Sequence, residues 1–122
     1  MKKVLIVDDD KDLIETVTFY LTYGEYSVRI AENCAQMFKI LKEEKPDIIL
    51  LDIMLPDMDG ITACKHLKTD PDLLSIPVMM VTAKGKREDI ESAIKAGADG
   101  YIPKPFSLSR LVERIEEILA HH

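Results

Sequence analysis

Short apolar runs alternate with longer amphipathic stretches along the whole chain. Five such runs lie near 3–7, 26–30, 47–51, 76–81 and 99–102. The runs near 47–51 and 76–81 show no alternation with polar residues, which is expected for strands buried on both faces of a sheet. A strand pattern followed by a helix pattern, five times over, predicts a (βα)5 fold with a parallel sheet.

The first and last amphipathic stretches show the helical period most clearly. Ser107 is placed to cap the last helix, and Gly24 is placed to end the first one. The apolar stripe of the last helix consists of Leu108, Leu111, Val112, Ile115, Ile118 and Leu119. The stripe of the first helix consists of Leu13, Ile14, Val17 and Leu21.

The remaining helices have weaker but recognisable ends. Asn33 and Gln36 resemble a capping box that opens the second helix. The third and fourth helices are predicted near 60–69 and 86–96, and Gly97 closes the fourth. The charged residues around the start of the fourth helix are expected to form a solvated face. They are Lys84, Lys86, Arg87, Glu88, Asp89 and Glu91.

Length and composition indicate one ordinary domain. The chain has 122 residues, of which 47% are hydrophobic and 31% charged. A chain of this length buries roughly two-thirds of its unfolded surface, which is enough for a core without disulfides or metals. We therefore expect one domain at 1–120. The tail at 121–122 is two histidines, which are either native residues or the remnant of a purification tag.

Net charge and apolar segments narrow the class of function. The formal net charge of -6 disfavours direct nucleic-acid binding, which usually needs a basic face. The apolar run after Met1 stops too early for a signal peptide, and no stretch approaches the roughly 20 residues of a membrane span. Cys34 and Cys64 lack metal-type spacing and are expected to be reduced, partly buried thiols. The protein is therefore expected in the cytoplasm, away from membranes.

Polar side chains stand at the ends of four of the apolar runs. In chain order they are Asp8, Asp9, Asp52, Thr82 and Lys104. If the runs are neighbouring parallel strands, these groups emerge at one edge of one sheet, where open α/β folds place their chemistry. The sequence therefore predicts a site at that edge, built from three carboxylates, a hydroxyl and an ammonium group.

The carboxylates need a positive partner. Two carboxylates about 5 Å apart repel each other by roughly 3 kcal/mol at an effective dielectric constant near 20. A hard divalent cation suits such a site, and Mg²⁺ is favoured because it commonly binds through one or two carboxylates plus a phosphate. A carboxylate can also act as a nucleophile and accept a phosphoryl group. Lys104 and Thr82 are then candidates to neutralise the phosphoryl oxygens.

Four segments of the chain resemble the motifs of one known family. They are Val7-Asp8-Asp9, the sequence from Asp52 to Gly60, Val81-Thr82-Ala83 and Lys104-Pro105-Phe106. In this order and spacing they resemble the receiver domain of two-component response regulators, over essentially the whole chain. The resemblance implies a flavodoxin-like three-layer sandwich, with a five-stranded parallel sheet of order 2-1-3-4-5.

The resemblance also implies a role for each site residue. Asp52 matches the phosphoacceptor, and Lys104 matches the ammonium group that pairs with the phosphoryl group. Thr82 matches the hydroxyl that follows the phosphoryl group, and Tyr101 matches the aromatic switch position. The Lys104–Pro105 peptide bond is expected to be cis. Mg²⁺ is expected on a ligand set made of Asp8, Asp9, Asp52 and the backbone carbonyl of Met54.

The expected partners follow from the same resemblance. A sensor histidine kinase or a phosphotransfer protein would donate the phosphoryl group. The modified domain would then change its affinity for a downstream protein, or for an output domain that this sequence does not include. The resemblance also allows a phosphorylation-dependent dimer through the face of the fourth helix, fifth strand and fifth helix. Transcriptional members often have an acid for that dimer at the position of Gly100.

The predicted function is a signalling switch that assists only its own phosphorylation and dephosphorylation. A flavin-binding module is disfavoured because three aspartates at the first strand would repel a flavin phosphate. A phosphatase of the haloacid dehalogenase type needs a second acid where this chain has Met54. A degenerate receiver that only mediates protein contacts is disfavoured by the intact set of Asp9, Asp52, Thr82 and Lys104.

The acids at 8, 10 and 12 also imitate the start of a calcium-binding loop. That loop needs glycine where this chain has Leu13 and a bidentate glutamate where it has Phe19. We therefore reject a calcium hand and expect Asp10 or Asp12 to cap the first helix, since acids favour helix N-termini.

Overall fold

The protein alternates strand and helix along the chain, as its sequence predicts. The computed structural model describes residues 1–83 and 87–122. Within these residues the strands are β1 (Lys3–Val7), β2 (Ser27–Ala31), β3 (Ile48–Asp52), β4 (Val78–Ala83) and β5 (Gly100–Lys104). The helices are α1 (Lys11–Tyr23), α2 (Cys34–Glu43), α3 (Gly60–Thr69), α4 (Arg87–Lys95) and α5 (Leu108–Ala120).

The strands form one parallel sheet in the order β2-β1-β3-β4-β5, which confirms the predicted topology. Val7 pairs with Leu51 of β3, and Ala83 of β4 pairs with Lys104 of β5. The carboxyl ends of β1, β3, β4 and β5 therefore meet at one edge. This edge is where open α/β sheets place ligands, beside the point at which the strand order reverses.

Helices cover both faces of the sheet. Apolar residues on one face pack with α1 and α5, and we call this the α1–α5 face. Apolar residues on the other face pack with α2, α3 and α4, and we call this the α2–α4 face. All five residues of β3 and five of the six in β4 are buried. The prediction that these strands are covered on both sides is confirmed.

Two helix N-termini are capped by the predicted residues. The Asp10 carboxylate accepts hydrogen bonds from the backbone amides of Asp12 and Leu13, at 3.1 and 3.2 Å. The Ser107 hydroxyl accepts one from the amide of Arg110 at 3.1 Å. These bonds satisfy amides that have no partner within their own helix.

The capping box of α2 forms only in part. Asn33 accepts a hydrogen bond from the amide of Gln36 at 2.8 Å, as predicted. The Gln36 side chain, however, accepts from the amide of Glu32 at 2.8 Å rather than from the cap residue. Gly97 follows α4 with a φ of 96°, the left-handed conformation that favours glycine at a helix end.

The last two strands are shifted relative to the apolar runs. The run near 76–81 becomes a strand that starts at Val78 and continues to Ala83, and β5 continues to Lys104. Apolarity reports burial, whereas strand pairing continues for as long as the backbone hydrogen bonds do. Thr82 and Lys104 are consequently strand residues, so the regular pairing of the sheet fixes their backbones.

Both cysteines are buried free thiols. Burial, together with the negative charges of Asp57 and Asp59, raises the pKa of the Cys34 thiol to about 11. Among the residues that the structure describes, no helix is both long and apolar enough to cross a membrane.

Gly60 allows α3 to begin directly against the end of β3. Its amide donates a hydrogen bond to the Ile53 carbonyl at 2.7 Å. A Cβ atom on Gly60 would lie 2.2 Å from the Asp52 carbonyl oxygen and 2.8 Å from the Ile53 Cα atom. Because both of these are backbone atoms, a side chain here would force the chain apart.

We therefore expect Gly60→Ala to lower the free energy of unfolding by about 2–3 kcal/mol, the usual cost of overpacking. Gly24→Ala is the matched control, because its Cβ would be no closer than 3.5 Å to any neighbour. The control should change stability by about 0.5 kcal/mol or less. Urea unfolding of both variants measures the difference, and equal stability would contradict the close approach at Gly60.

Candidate functional site

Three aspartates meet at the carboxyl edge of β1 and β3. Asp8 and Asp9 directly follow β1, and Asp52 is the last residue of β3. One carboxylate oxygen from each lies within 4.8 Å of the other two. Asp8 and Asp52 are only 2% and 7% exposed, whereas Asp9 is exposed. The structure thus brings the three predicted acids together and leaves one of them open to solvent.

The Lys104 ammonium group contacts both buried carboxylates. Its Nζ donates a hydrogen bond to Asp8 Oδ2 at 3.1 Å and lies 3.5 Å from Asp52 Oδ2. The side chain starts from β5, so it reaches past the end of β4 to these acids. The peptide bond from Lys104 to Pro105 is cis, as predicted.

Burial and neighbouring charges shift the pKa values of Asp52 and Lys104. Burial, together with the negative charge of Asp8, raises the pKa of Asp52 from 3.8 to about 6, although Lys104 and the Met54 amide oppose the rise. Burial by itself would lower the pKa of Lys104. Its hydrogen bond to Asp8 and the charge of Asp52 raise that pKa instead. At neutral pH we therefore expect a charged Lys104 beside a mostly ionised Asp52.

The donor set fits a hard divalent cation. Three carboxylates and one ammonium group leave a negative excess of two charges when all are ionised. Mg²⁺ takes oxygen ligands at about 2.1 Å, so opposite ligands lie about 4.2 Å apart. The 4.8 Å limit on the three carboxylate oxygens is close to that span. Asp9, being exposed, also leaves room for the waters that Mg²⁺ retains.

Strand alternation places the charged groups on one face of the sheet. Asp52 pairs with Val81, which packs with α1 and α5. Lys104 lies two residues beyond Ile102, and Asp8 lies two beyond Ile6, both of which belong to the same core. Because side chains alternate along a strand, these three groups lie toward the α1–α5 face.

Thr82 and Tyr101 lie toward the opposite face by the same rule. Tyr101 pairs with Met80, which packs on the α2–α4 face, and Thr82 is two residues beyond Met80. The Thr82 hydroxyl is buried and lies 3.5 Å from the Ile102 carbonyl oxygen. Tyr101 is 37% exposed. The two predicted switch residues therefore lie on neighbouring strands and share one face of the sheet.

Met54 contacts the site through its backbone. Its amide donates a hydrogen bond to Asp52 Oδ1 at 3.3 Å. Its side chain is 74% exposed, so it presents an apolar group to the solvent beside Asp52. The second acid of a haloacid dehalogenase-type phosphatase is absent from this position.

Two acids in the loop between β3 and α3 have partners that are not among the sequence predictions. Asp59 caps α3 and accepts from the Thr62 amide at 2.9 Å, which the order Asp59-Gly60-Ile61-Thr62 could have suggested. Asp57 accepts instead from the amides of Cys34 and Ala35, at 3.0 Å each. These partners are more than twenty residues away, so no local pattern reveals them.

At position 100, the first residue of β5, this chain has glycine where transcriptional members are expected to have an acid. A Cβ atom on Gly100 would lie 2.8 Å from Ile118 Cδ1 and 2.9 Å from Arg114 Nη2. An acid at this position would therefore displace Arg114 or Ile118 from its present place. Both atoms are the ends of flexible side chains, which can shift to make room.

Of the charged residues predicted around the start of the fourth helix, Lys84 and Lys86 lie outside the described residues. Arg87 and Glu91 form an exposed ion pair, with Nε 3.2 Å from Oε1. Such a surface pair contributes little to stability. The solvated face is confirmed for this part of the helix.

Comparison with known proteins agrees with the fold and with the motifs. Residues 4–116 match the family model of the response regulator receiver domain. The chain is 41% identical to the phosphate regulon transcriptional regulatory protein PhoB of Pseudomonas aeruginosa over 118 residues, which are 97% of this chain and 52% of that protein. The chain thus spans about half the length of the curated relatives it matches.

Solved structures of response regulators have the same fold as this chain. A two-component response regulator from Clostridium difficile superimposes with a TM-score of 0.91 at 31% identity, covering 98% of this chain and 97% of that one. The chemotaxis response regulator CheY4 of Vibrio cholerae superimposes with a TM-score of 0.90 at 25% identity, covering 97% and 98%.

The raised pKa of Asp52 predicts a pH-dependent stability for the metal-free protein. The folded state binds this proton more tightly than the unfolded state, so stability is lost as the pH rises from about 4 through about 6. Asp52→Asn should therefore be more stable than the parent at pH 8, by up to about 3 kcal/mol for a shift of about two pKa units.

Urea unfolding in the presence of a chelator, from pH 4 to pH 8, measures this difference. The advantage of Asp52→Asn should shrink as the pH falls toward 4. A difference that does not change across this range would show that the Asp52 carboxylate is not strained by its surroundings.

Proposed function

The chain belongs to the response regulator receiver domain family, and on that premise we propose that it is a phosphorylation-dependent switch of a two-component system. A partner histidine kinase or phosphotransfer protein donates a phosphoryl group to Asp52, with Mg²⁺ bound. The observation that best supports this is the arrangement around Asp52. Its buried carboxylate lies 3.5 Å from the Lys104 ammonium group and within 4.8 Å of oxygens from Asp8 and Asp9.

In the proposed transfer, a carboxylate oxygen of Asp52 attacks the phosphorus atom of a phosphohistidine on the partner. The P–O bond forms as the P–N bond breaks, and the imidazole nitrogen leaves with the electron pair. The carboxyl group must be ionised to attack. A pKa of about 6 leaves it mostly charged at neutral pH while keeping it more basic than an ordinary aspartate.

The charge of the transferred group needs several partners. The ligands proposed for Mg²⁺ are Asp8, Asp9, Asp52 and the Met54 carbonyl. Bound there, Mg²⁺ would supply positive charge to the oxygens of the transferring phosphoryl group. Lys104 exchanges its contact with Asp8 for a contact with a phosphoryl oxygen, and the Thr82 hydroxyl donates to another.

The switch follows from the movement of Thr82. Among the described residues, its hydroxyl makes only a long contact, at 3.5 Å to the Ile102 carbonyl. A phosphoryl oxygen offers a stronger acceptor, since hydrogen bonds to charged groups are the stronger ones. When Thr82 moves toward it, space changes beside Tyr101 on the neighbouring strand. The surface of α4, β5 and α5 then changes its affinity for a partner.

The output of the proposed switch lies outside this domain. Residues 1–120 form the receiver domain and 121–122 a tail, and the domain works in the cytoplasm without binding nucleic acid itself. A downstream protein, a linked output domain or a second copy at the face of α4, β5 and α5 reads the modified state. The domain assists its own phosphorylation and dephosphorylation and turns over no separate substrate.

We expect one phosphoryl group to be added when the protein is incubated with acetyl phosphate and Mg²⁺. Intact-mass spectrometry measures the addition, and a chelator should prevent it. Asp52→Asn should remain unlabelled, whereas Asp72→Asn, a change at an exposed aspartate away from the site, should label like the parent. If Asp52→Asn labels as well as the parent, Asp52 is not the acceptor.

Lys104→Ala should separate modification from the conformational response. Without the ammonium group, the phosphoryl group loses the contact that draws the strand ends together. In the parent, labelling should shift the amide NMR signals of Thr82 and Tyr101. In labelled Lys104→Ala these shifts should be largely lost, while Lys42→Ala, an exposed control, should retain them. Full shifts in labelled Lys104→Ala would remove Lys104 from the coupling.

A further inference from the structure

The loop between β3 and α3, residues 53–59, is anchored by hydrogen bonds where it leaves β3 and where it enters α3. We call it the acceptor loop. The Ile53 amide donates to the Val81 carbonyl at 3.3 Å, and the Gly60 amide donates to the Ile53 carbonyl at 2.7 Å. The Met54 amide contacts Asp52 Oδ1 at 3.3 Å. These bonds hold the two ends of the loop beside the proposed acceptor.

The part of the acceptor loop around Asp57 is attached to α2. Asp57 Oδ1 accepts from the Cys34 amide and Oδ2 from the Ala35 amide, each at 3.0 Å. The Cys34 thiol donates to the Met58 carbonyl at 3.4 Å. Three hydrogen bonds therefore join the acceptor loop to the first turn of α2.

The first turn of α2 lacks partners of its own for these amides. Its cap residue Asn33 accepts only from the Gln36 amide, and its first turn contains no acidic residue. The amides of Cys34 and Ala35 would otherwise be left without a partner within the helix. A carboxylate is also favoured by the positive end of the helix dipole. These backbone hydrogen bonds, first of all the one from Cys34, lower the pKa of Asp57, so it stays ionised at neutral pH.

We propose that Asp57 is a positioning residue for the metal and phosphoryl site, holding the acceptor loop against α2 so that the Met54 backbone stays beside Asp52. This inference rests on the proposed function, because Met54 is expected to supply a metal ligand through its carbonyl. Asp57 touches neither metal nor phosphoryl group. Its effect is to restrict the loop before either arrives, which lowers the entropy lost when Mg²⁺ binds.

A matched pair of variants separates positioning from helix capping. Asp57→Ala and Asn33→Ala each remove hydrogen bonds from the first turn of α2, but only the former removes bonds to the acceptor loop, two of its three. Isothermal titration with Mg²⁺ alone should show binding about 10-fold weaker in Asp57→Ala, the size typical for residues that support metal ligands. Asn33→Ala should bind within about 2-fold of the parent, and Asp57→Asn, with one acceptor oxygen, should be intermediate.

Unchanged Mg²⁺ affinity in Asp57→Ala, or an equal loss in Asn33→Ala, would overturn the proposal. Should Asp57→Ala fail to fold, the comparison is made with Asp57→Asn, which is then expected to bind Mg²⁺ more weakly than Asn33→Ala does. Equal binding by Asp57→Asn and the parent would again overturn it.

A second measurement does not depend on the metal. In the metal-free protein, kept so by a chelator, hydrogen exchange at the Met54 and Gly60 amides should be several-fold faster in Asp57→Ala than in the parent. The reason is that the loop opens more often. Asn33→Ala should leave these two amides unchanged. A parent that binds no Mg²⁺ would refute the proposed function, and the exchange rates alone would then decide whether Asp57 positions the loop.

Discussion

The site depends on the repulsion between two buried carboxylates that the sheet holds at one edge. Asp8 and Asp52 stand at the ends of paired strands, so their backbones cannot move apart without breaking the ladder. Burial and the charge of Asp8 raise the pKa of Asp52 to about 6, and Lys104 offsets part of the repulsion from the far side of β4. With exposed Asp9 added, the negative excess suits a divalent cation.

The sheet also places the charged residues and the proposed switch residues on opposite faces. Asp52 and Lys104 lie toward α1 and α5, whereas Thr82 and Tyr101 lie toward α2, α3 and α4. The two faces meet at the strand ends, where Thr82 and Lys104 are still part of the pairing. In the proposed switch, a small group added to Asp52 would alter the surface on the other face through these strand ends.

Close packing of the loop after β3 holds the backbone around Asp52 in place at the carboxyl edge of the sheet. Gly60 brings α3 against the backbone of Asp52, and Asp57 ties the same loop to α2. α2 lies on the α2–α4 face, away from the charged groups, so elements from both faces support the backbone around Asp52. Neither Gly60 nor Asp57 contributes a reactive group, yet both limit where Met54 and Asp52 can lie.

The amino-acid pattern alone predicts the element order, the parallel sheet and the residues of the carboxylate edge. It could do so because burial on both faces leaves uninterrupted apolar runs, and because parallel strands bring their carboxyl ends together. Local caps such as Asp10 and Ser107 were equally predictable, since each acts within a few residues. The folded chain was needed to show which carboxylates Lys104 contacts, which face Thr82 occupies and that Asp57 caps a distant helix. Those features depend on strand register and on packing between elements far apart in the chain, which no local pattern encodes.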